Sequence, residues 1–81
     1  MTIHVKLFAA MRDAAGDDLV ELELPEGATI GTLRLQLAER LPDASDLVGR
    51  AMFAVENQYT ANDATIPSNA TVACIPPVSG G

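Results

Sequence analysis

Between Thr29 and Pro42 the chain carries one amphipathic segment that limits its possible folds more than any other stretch. Ile30, Leu33, Leu37 and Leu41 fall on a single helical stripe. Thr29 stands where an N-cap belongs, its hydroxyl placed to accept from an early helical N–H. Pro42 ends the helix by disfavouring helical geometry at Leu41. Leu35 lies off the stripe, and a single exposed leucine requires no functional explanation. A helix with one apolar face needs a second layer to cover it, and the flanking sequence supplies strands.

Ile3, Val5 and Leu7 alternate with His4, Lys6 and Phe8, which predicts a half-buried strand. Val20, Leu22 and Leu24 alternate with Glu21 and Glu23 in the same way, so the first two strands form a hairpin with a long connection. That connection contains a helix-compatible stretch, Ala9 to Ala15, closed by the breaker Gly16-Asp17-Asp18. Pro25-Glu26-Gly27 is a turn. Met52 to Glu56 predicts a third strand, with Phe53 and Val55 on one face and Met52 and Ala54 on the other. Gln58-Tyr59-Thr60 reads as a weak strand, and Ile66 as the one apolar anchor of the polar region around it. Thr71 to Ile75 is the last strand, ended by Pro76-Pro77, which have no N–H to donate. Pro42 to Arg50 reads as a mostly polar connector. The expected architecture is α+β: a mixed sheet of four to five strands with one main helix packed across one face.

An 81-residue chain is one domain near the lower size limit for a useful core, and its 48% hydrophobic content can fill one. Residues 1–75 are expected to form that domain and 76–81 an extended tail. Eleven Asp/Glu against five Lys/Arg give a net charge of -6, which argues against nucleic acid and favours steering toward a basic protein groove. One cysteine, Cys74, excludes a disulfide framework and a Cys-rich zinc site. No apolar run approaches the roughly 20 residues that span a bilayer, and the alternating start is unlike a signal peptide. A cytoplasmic protein without membrane partners is expected.

The tail Pro76-Pro77-Val78-Ser79-Gly80-Gly81 is the stretch with chemical meaning. Glycine has no Cβ, so a Gly-Gly end can thread a narrow channel, and the acyl carbon of Gly81 is unhindered. A carboxylate is a poor electrophile until it is converted to a mixed anhydride. Pro76 and Pro77 stiffen the exit from the sheet and lower the ordering cost of insertion.

With these residues stated, the chain resembles the β-grasp, ubiquitin-like sulfur carriers, and among them the small subunits of molybdopterin synthase. The resemblance is carried by Ile3-His4-Val5-Lys6-Leu7-Phe8-Ala9 with Met11-Arg12, the Thr29 to Leu41 helix, Phe53-Ala54-Val55 with Asn57, and Val72 through Gly81. It covers essentially the whole chain, and the terminal Pro-Pro-Val-x-Gly-Gly is its specific part. Where relatives often have an Asp-Gly-Asp-like turn before the last strand, this chain has Ser68-Asn69-Ala70-Thr71, and Asn69 tolerates a left-handed backbone.

The resemblance implies that an E1-like adenylyltransferase spends ATP to adenylate the Gly81 carboxylate and that a sulfur donor protein converts it to a thiocarboxylate. The tail, Pro76, Pro77, Val78, Ser79 and Gly80 leading to Gly81, would then enter the active site of a large synthase subunit. There it would supply sulfur for the dithiolene of molybdopterin, within a heterotetramer of two small and two large subunits. The chain itself would hold no cofactor, no metal and no catalytic side chain. Two alternatives share this tail: a carrier for another product, such as the thiamin thiazole or a thiolated tRNA, and a ubiquitin-like modifier or interaction module.

Among the remaining residues, Cys74 aligns with Val72 and is expected in the core, where small cysteines act as hydrophobes. His4, the only histidine, cannot build a metal site alone. Phe8 and Met52 fall on the outward side of the sheet, where exposed apolar surface marks a partner site. They are the expected docking surface.

Overall fold

The first and last strands are the centre of the molecule. β1 (Thr2–Leu7) and β5 (Thr71–Ile75) run parallel, with Val5 opposite Val72 and Leu7 opposite Cys74. This computed structural model describes residues 1–77. The expectations placed on Val78, Ser79, Gly80 and Gly81 lie outside the described residues.

β2 (Leu19–Glu23) pairs antiparallel with β1, completing the expected hairpin. β3 (Met52–Val55) pairs antiparallel with the other side of β5, and β4 (Gln58–Thr60) with β3. The strand order is β2-β1-β5-β3-β4, a mixed five-stranded sheet. With α2 (Ile30–Arg40) packed on its inner face, the chain has the β-grasp, ubiquitin-like α+β fold.

The core follows the apolar pattern of the sequence. Ile3, Val5, Leu7, Val20, Leu22, Leu24, Phe53, Val72 and Cys74 from the sheet meet Ile30, Leu33, Leu37 and Leu41 from the helix and its end, all buried. Each fully buried leucine or isoleucine contributes about 1.5–3 kcal/mol relative to an exposed one. Leu35 is 69% exposed, as its place off the stripe requires.

The start of α2 is well satisfied. Thr32 N–H donates to Thr29 Oγ1 at 3.4 Å. Ile30 and Gly31 N–H donate to the carbonyls of Ala64 and Asn62 at 3.0 and 2.8 Å. Buried helix N–H groups need partners, and here the 61–66 loop supplies two of them. Ile66 pins that loop, buried and donating its N–H to Ala28 O at 2.9 Å.

α1 (Ala9–Ala15) fills the β1–β2 connection and ends at Gly16, whose φ of 75° is the left-handed C-cap conformation. Asn69 also adopts a left-handed backbone, φ 62°, in the turn before β5.

One expectation is corrected. Pro42 to Arg50 is not a polar connector: it forms a 3-10 turn (Pro42–Ala44) followed by α3 (Ser45–Arg50). Ala44 and Val48 face the core, and a one-turn spacing of two apolar residues suffices to seat so short a helix.

Candidate functional site: the outward sheet face and the tail exit

The strand register builds this face row by row. On β1 the outward residues are His4 and Lys6, on β5 Thr71, Ala73 and Ile75, and on β3 Met52 and Ala54. Met52 stands opposite Ile75 across the β3–β5 pair. Phe8 follows Leu7, the partner of Cys74, and its extended backbone (φ -131°, ψ 153°) carries it to the position beside Ile75. Phe8, Ile75 and Met52 therefore form one row across three elements at the end of β5 from which Pro76 departs.

A second row lies behind it. Leu19 faces Lys6, Lys6 faces Ala73, Ala73 faces Ala54, and Ala54 faces Tyr59. Phe8 and Met52 are 44% and 49% exposed, and Leu19 and Tyr59 are exposed as well. Large apolar side chains clustered on one face in this way mark an interaction surface. Two shallow grooves cross it. One is lined by Lys6, Phe8, Arg12 and Leu19, the other by Lys6, Ala54, Glu56, Asn57 and Ala73.

Sequence reasoning found Phe8 and Met52 but not Ile75, Leu19 or Tyr59. Ile75 was within reach, because placing Val72 and Cys74 inward sends Ile75 outward. Leu19 was within reach in the same way, since placing Val20 and Leu22 inward sends it outward, whereas Tyr59 joins the face through the register of its pairing with Ala54. Pro76 and Pro77 are half-buried at the strand end.

The remaining chemistry-bearing groups do not converge. His4 Nε2 lies 3.3 Å from Glu21 Oε1 on the solvent side of the β1–β2 pair. Cys74 is fully buried, its thiol donating to Met11 Sδ at 3.3 Å. Burial pushes its pKa up to about 12, against a partial lowering by the Arg34 charge. A thiol held in that state is a packing group and not a nucleophile. No polar or charged side chain is buried among the described residues, and no three His, Cys, Asp or Glu side chains there are grouped to hold a metal. No described helix is long and apolar enough to cross a membrane.

Comparison with known proteins places this geometry in a family. The chain is 30% identical over 79 residues to the molybdopterin synthase sulfur carrier subunit of Arabidopsis thaliana, covering 98% of this chain and 82% of the relative. It is 34% identical over 80 residues to the protein of the same name from Dictyostelium discoideum, covering 95% and 93%. Among solved structures, SAMP1 from Haloferax volcanii superposes with a TM-score of 0.84 at 24% identity, covering all of both chains, a likeness of fold. The family model named ThiS family matches residues 5–81, a span that runs from β1 through the glycine tail, and the chain belongs to that family.

Proposed function

We propose that this chain is the sulfur carrier subunit of a molybdopterin synthase. The observation that carries the reading is similarity to relatives of that name over 98% and 95% of this chain, together with a family match that runs to Gly81. The body presents the tail, and the chemistry takes place on Gly81 inside partner proteins.

In the loading stage, a Gly81 carboxylate oxygen attacks the α-phosphorus of ATP in an E1-like adenylyltransferase, and pyrophosphate leaves. A sulfide equivalent from a sulfur donor protein adds to the acyl carbon, AMP departs, and a thiocarboxylate remains. Thiolate character makes that sulfur nucleophilic near neutral pH. In the delivery stage the loaded tail enters the large subunit, where the sulfur attacks a side-chain carbon of the cyclic pyranopterin phosphate. A C–O bond at that carbon breaks, its oxygen leaving as water or with the opened phosphate ester. Hydrolysis of the resulting acyl link returns the Gly81 carboxylate. Two transfers complete a dithiolene, which suits a complex of two small and two large subunits. The general acid and base belong to the large subunit.

Docking uses the Phe8–Ile75–Met52 row. It surrounds the point where the tail leaves β5, so one contact both covers the apolar face and aims the tail. An acidic body assists by steering toward basic grooves. Deletion of Gly81 tests the reading in a reconstituted synthase. The shortened chain is expected to keep its thermal melting point and its binding to the large subunit while yielding no dithiolene product. Undiminished product formation would defeat the proposal.

A further inference from the structure

Lys6 is the only lysine in the chain, and it stands on the outward face, on the strand beside the central β5. Leu19 flanks it on β2 and Ala73 on β5, and it forms a wall of both grooves. It is exposed. The ion pairs among the described residues are His4–Glu21 and Arg50–Asp46, neither of which engages Lys6. The rest of the face has an apolar centre, the exposed Arg12 beside Phe8 and Leu19, and an acidic rim. Phe8, Ile75, Met52, Ala73, Ala54, Leu19 and Tyr59 are apolar or aromatic. Asp18, Glu21, Glu23 and Glu56 are exposed around them.

A protein that covers this face takes the Lys6 ammonium out of water together with the apolar groups. An ammonium withdrawn from water without an acceptor costs more than the surrounding contact returns. The partner therefore has to meet it with an anion. We propose that Lys6 pairs with a single carboxylate set within the large subunit's apolar docking patch, and that the rim of that patch is basic. The charge order is the inverse of this chain's own: acid inside base on the partner, base inside acid here. Such an arrangement fixes the rotation of the docked body, because an apolar patch alone tolerates sliding while a buried pair has one register. The inference rests on the docking reading above and adds the chemistry of the surface that fits it.

The test measures binding of the intact chain and three variants to the molybdopterin synthase large subunit of the same organism. Lys6→Met keeps length and apolar stem but removes the charge, and it is expected to weaken binding at least about thirty-fold, because the partner carboxylate is left buried and unpaired. Lys6→Arg is expected to stay within a few-fold of the parent chain. Met52→Asp serves as the control for the face itself. Carbodiimide coupling of the complex is expected to give an amide between Lys6 Nζ and a partner Asp or Glu. As the chain has no other lysine, a peptide map assigns that link without ambiguity. Should Lys6→Met bind as tightly as the parent while Met52→Asp binds weakly, the inference falls and the docking reading stands. A coupled complex with no Lys6 link also overturns it. If the parent chain fails to bind the large subunit, or Met52→Asp binds undiminished, the docking reading and this inference fall together.

Discussion

The guanidinium carbon of Arg34 lies 4.8 Å from the centroid of the Phe53 ring, a cation stacked on the largest fully buried side chain of the core. The same group gathers polar neighbours. Nη1 donates to the carbonyls of Val48, Gly49 and Ala51 at 3.1, 3.1 and 2.7 Å. Nε and Nη2 donate to Asn62 Oδ1 at 3.1 and 2.9 Å. Carbonyls at a helix end have no intrahelical donor and carry partial negative charge, so a cation there is favoured. Arg34 thus ties α2 to the end of α3, to the start of β3 beside Met52, and to the 61–66 loop.

Loss of that tie is expected to be costly. Arg34→Ala should destabilise the chain by about 2–3 kcal/mol, the scale of losing several hydrogen bonds from one charged group. Arg34→Lys should recover only part of it, since an ammonium cannot reproduce the planar fork. Urea unfolding followed by circular dichroism measures both.

The helix stripe makes a sharper contrast. Leu37 is fully buried and Leu35 is exposed on the opposite side. Leu37→Ala should cost about 2–5 kcal/mol, through lost burial and a cavity. Leu35→Ala should fall within about 0.5 kcal/mol of the parent. Equal effects in thermal or chemical melts would mean the helix is rotated from the position described.

These elements differ in how far the sequence disclosed them. The α2 stripe, the alternation of β1 and β2, and Ile66 as a loop anchor were legible, because hydrophobic period and turn residues are local signals. α3 was not, since six residues with Gly49 among them leave too short a stripe to separate from a connector. The Arg34 clamp was invisible for a different reason. It joins positions far apart in the chain, and nothing near Arg34 indicates where its donors will point. The docking face was half legible: Phe8, Met52 and Leu19 follow from alternation, whereas Tyr59 depends on strand register.

Gly16 closes α1 with a left-handed backbone, although a Cβ there would meet nothing within 4 Å. The cost of Gly16→Ala is therefore conformational and not steric crowding. A loss of about 1 kcal/mol is expected, read from the shift in denaturant midpoint at constant slope.

Cys74 gives a pH dependence with a definite sign. Burial pushes its thiol from an ordinary 9.0 up to about 12 in the folded chain. Above pH 9 the unfolded state sheds this proton while the native state keeps it, so stability falls as pH rises toward 12. The slope approaches about 1.4 kcal/mol per pH unit for this one group. Below pH 8 the group contributes no slope. Cys74→Ala should lose this component of the alkaline slope, although the variant starts from lower stability. Native Cys74 should also resist thiol reagents at neutral pH and react fully once unfolded.

The proposed function requires sulfur chemistry at the end of the tail. Intact-mass spectrometry of the chain after incubation with ATP, its adenylyltransferase and a sulfur donor addresses that most directly. The expected product is the free chain heavier by one oxygen-to-sulfur exchange, with fragmentation placing the change on Gly81 and nothing formed when Gly81 is absent. A mass that stays unchanged under conditions that load an established carrier would contradict the account, as would an amide conjugate to other proteins in place of the thiocarboxylate.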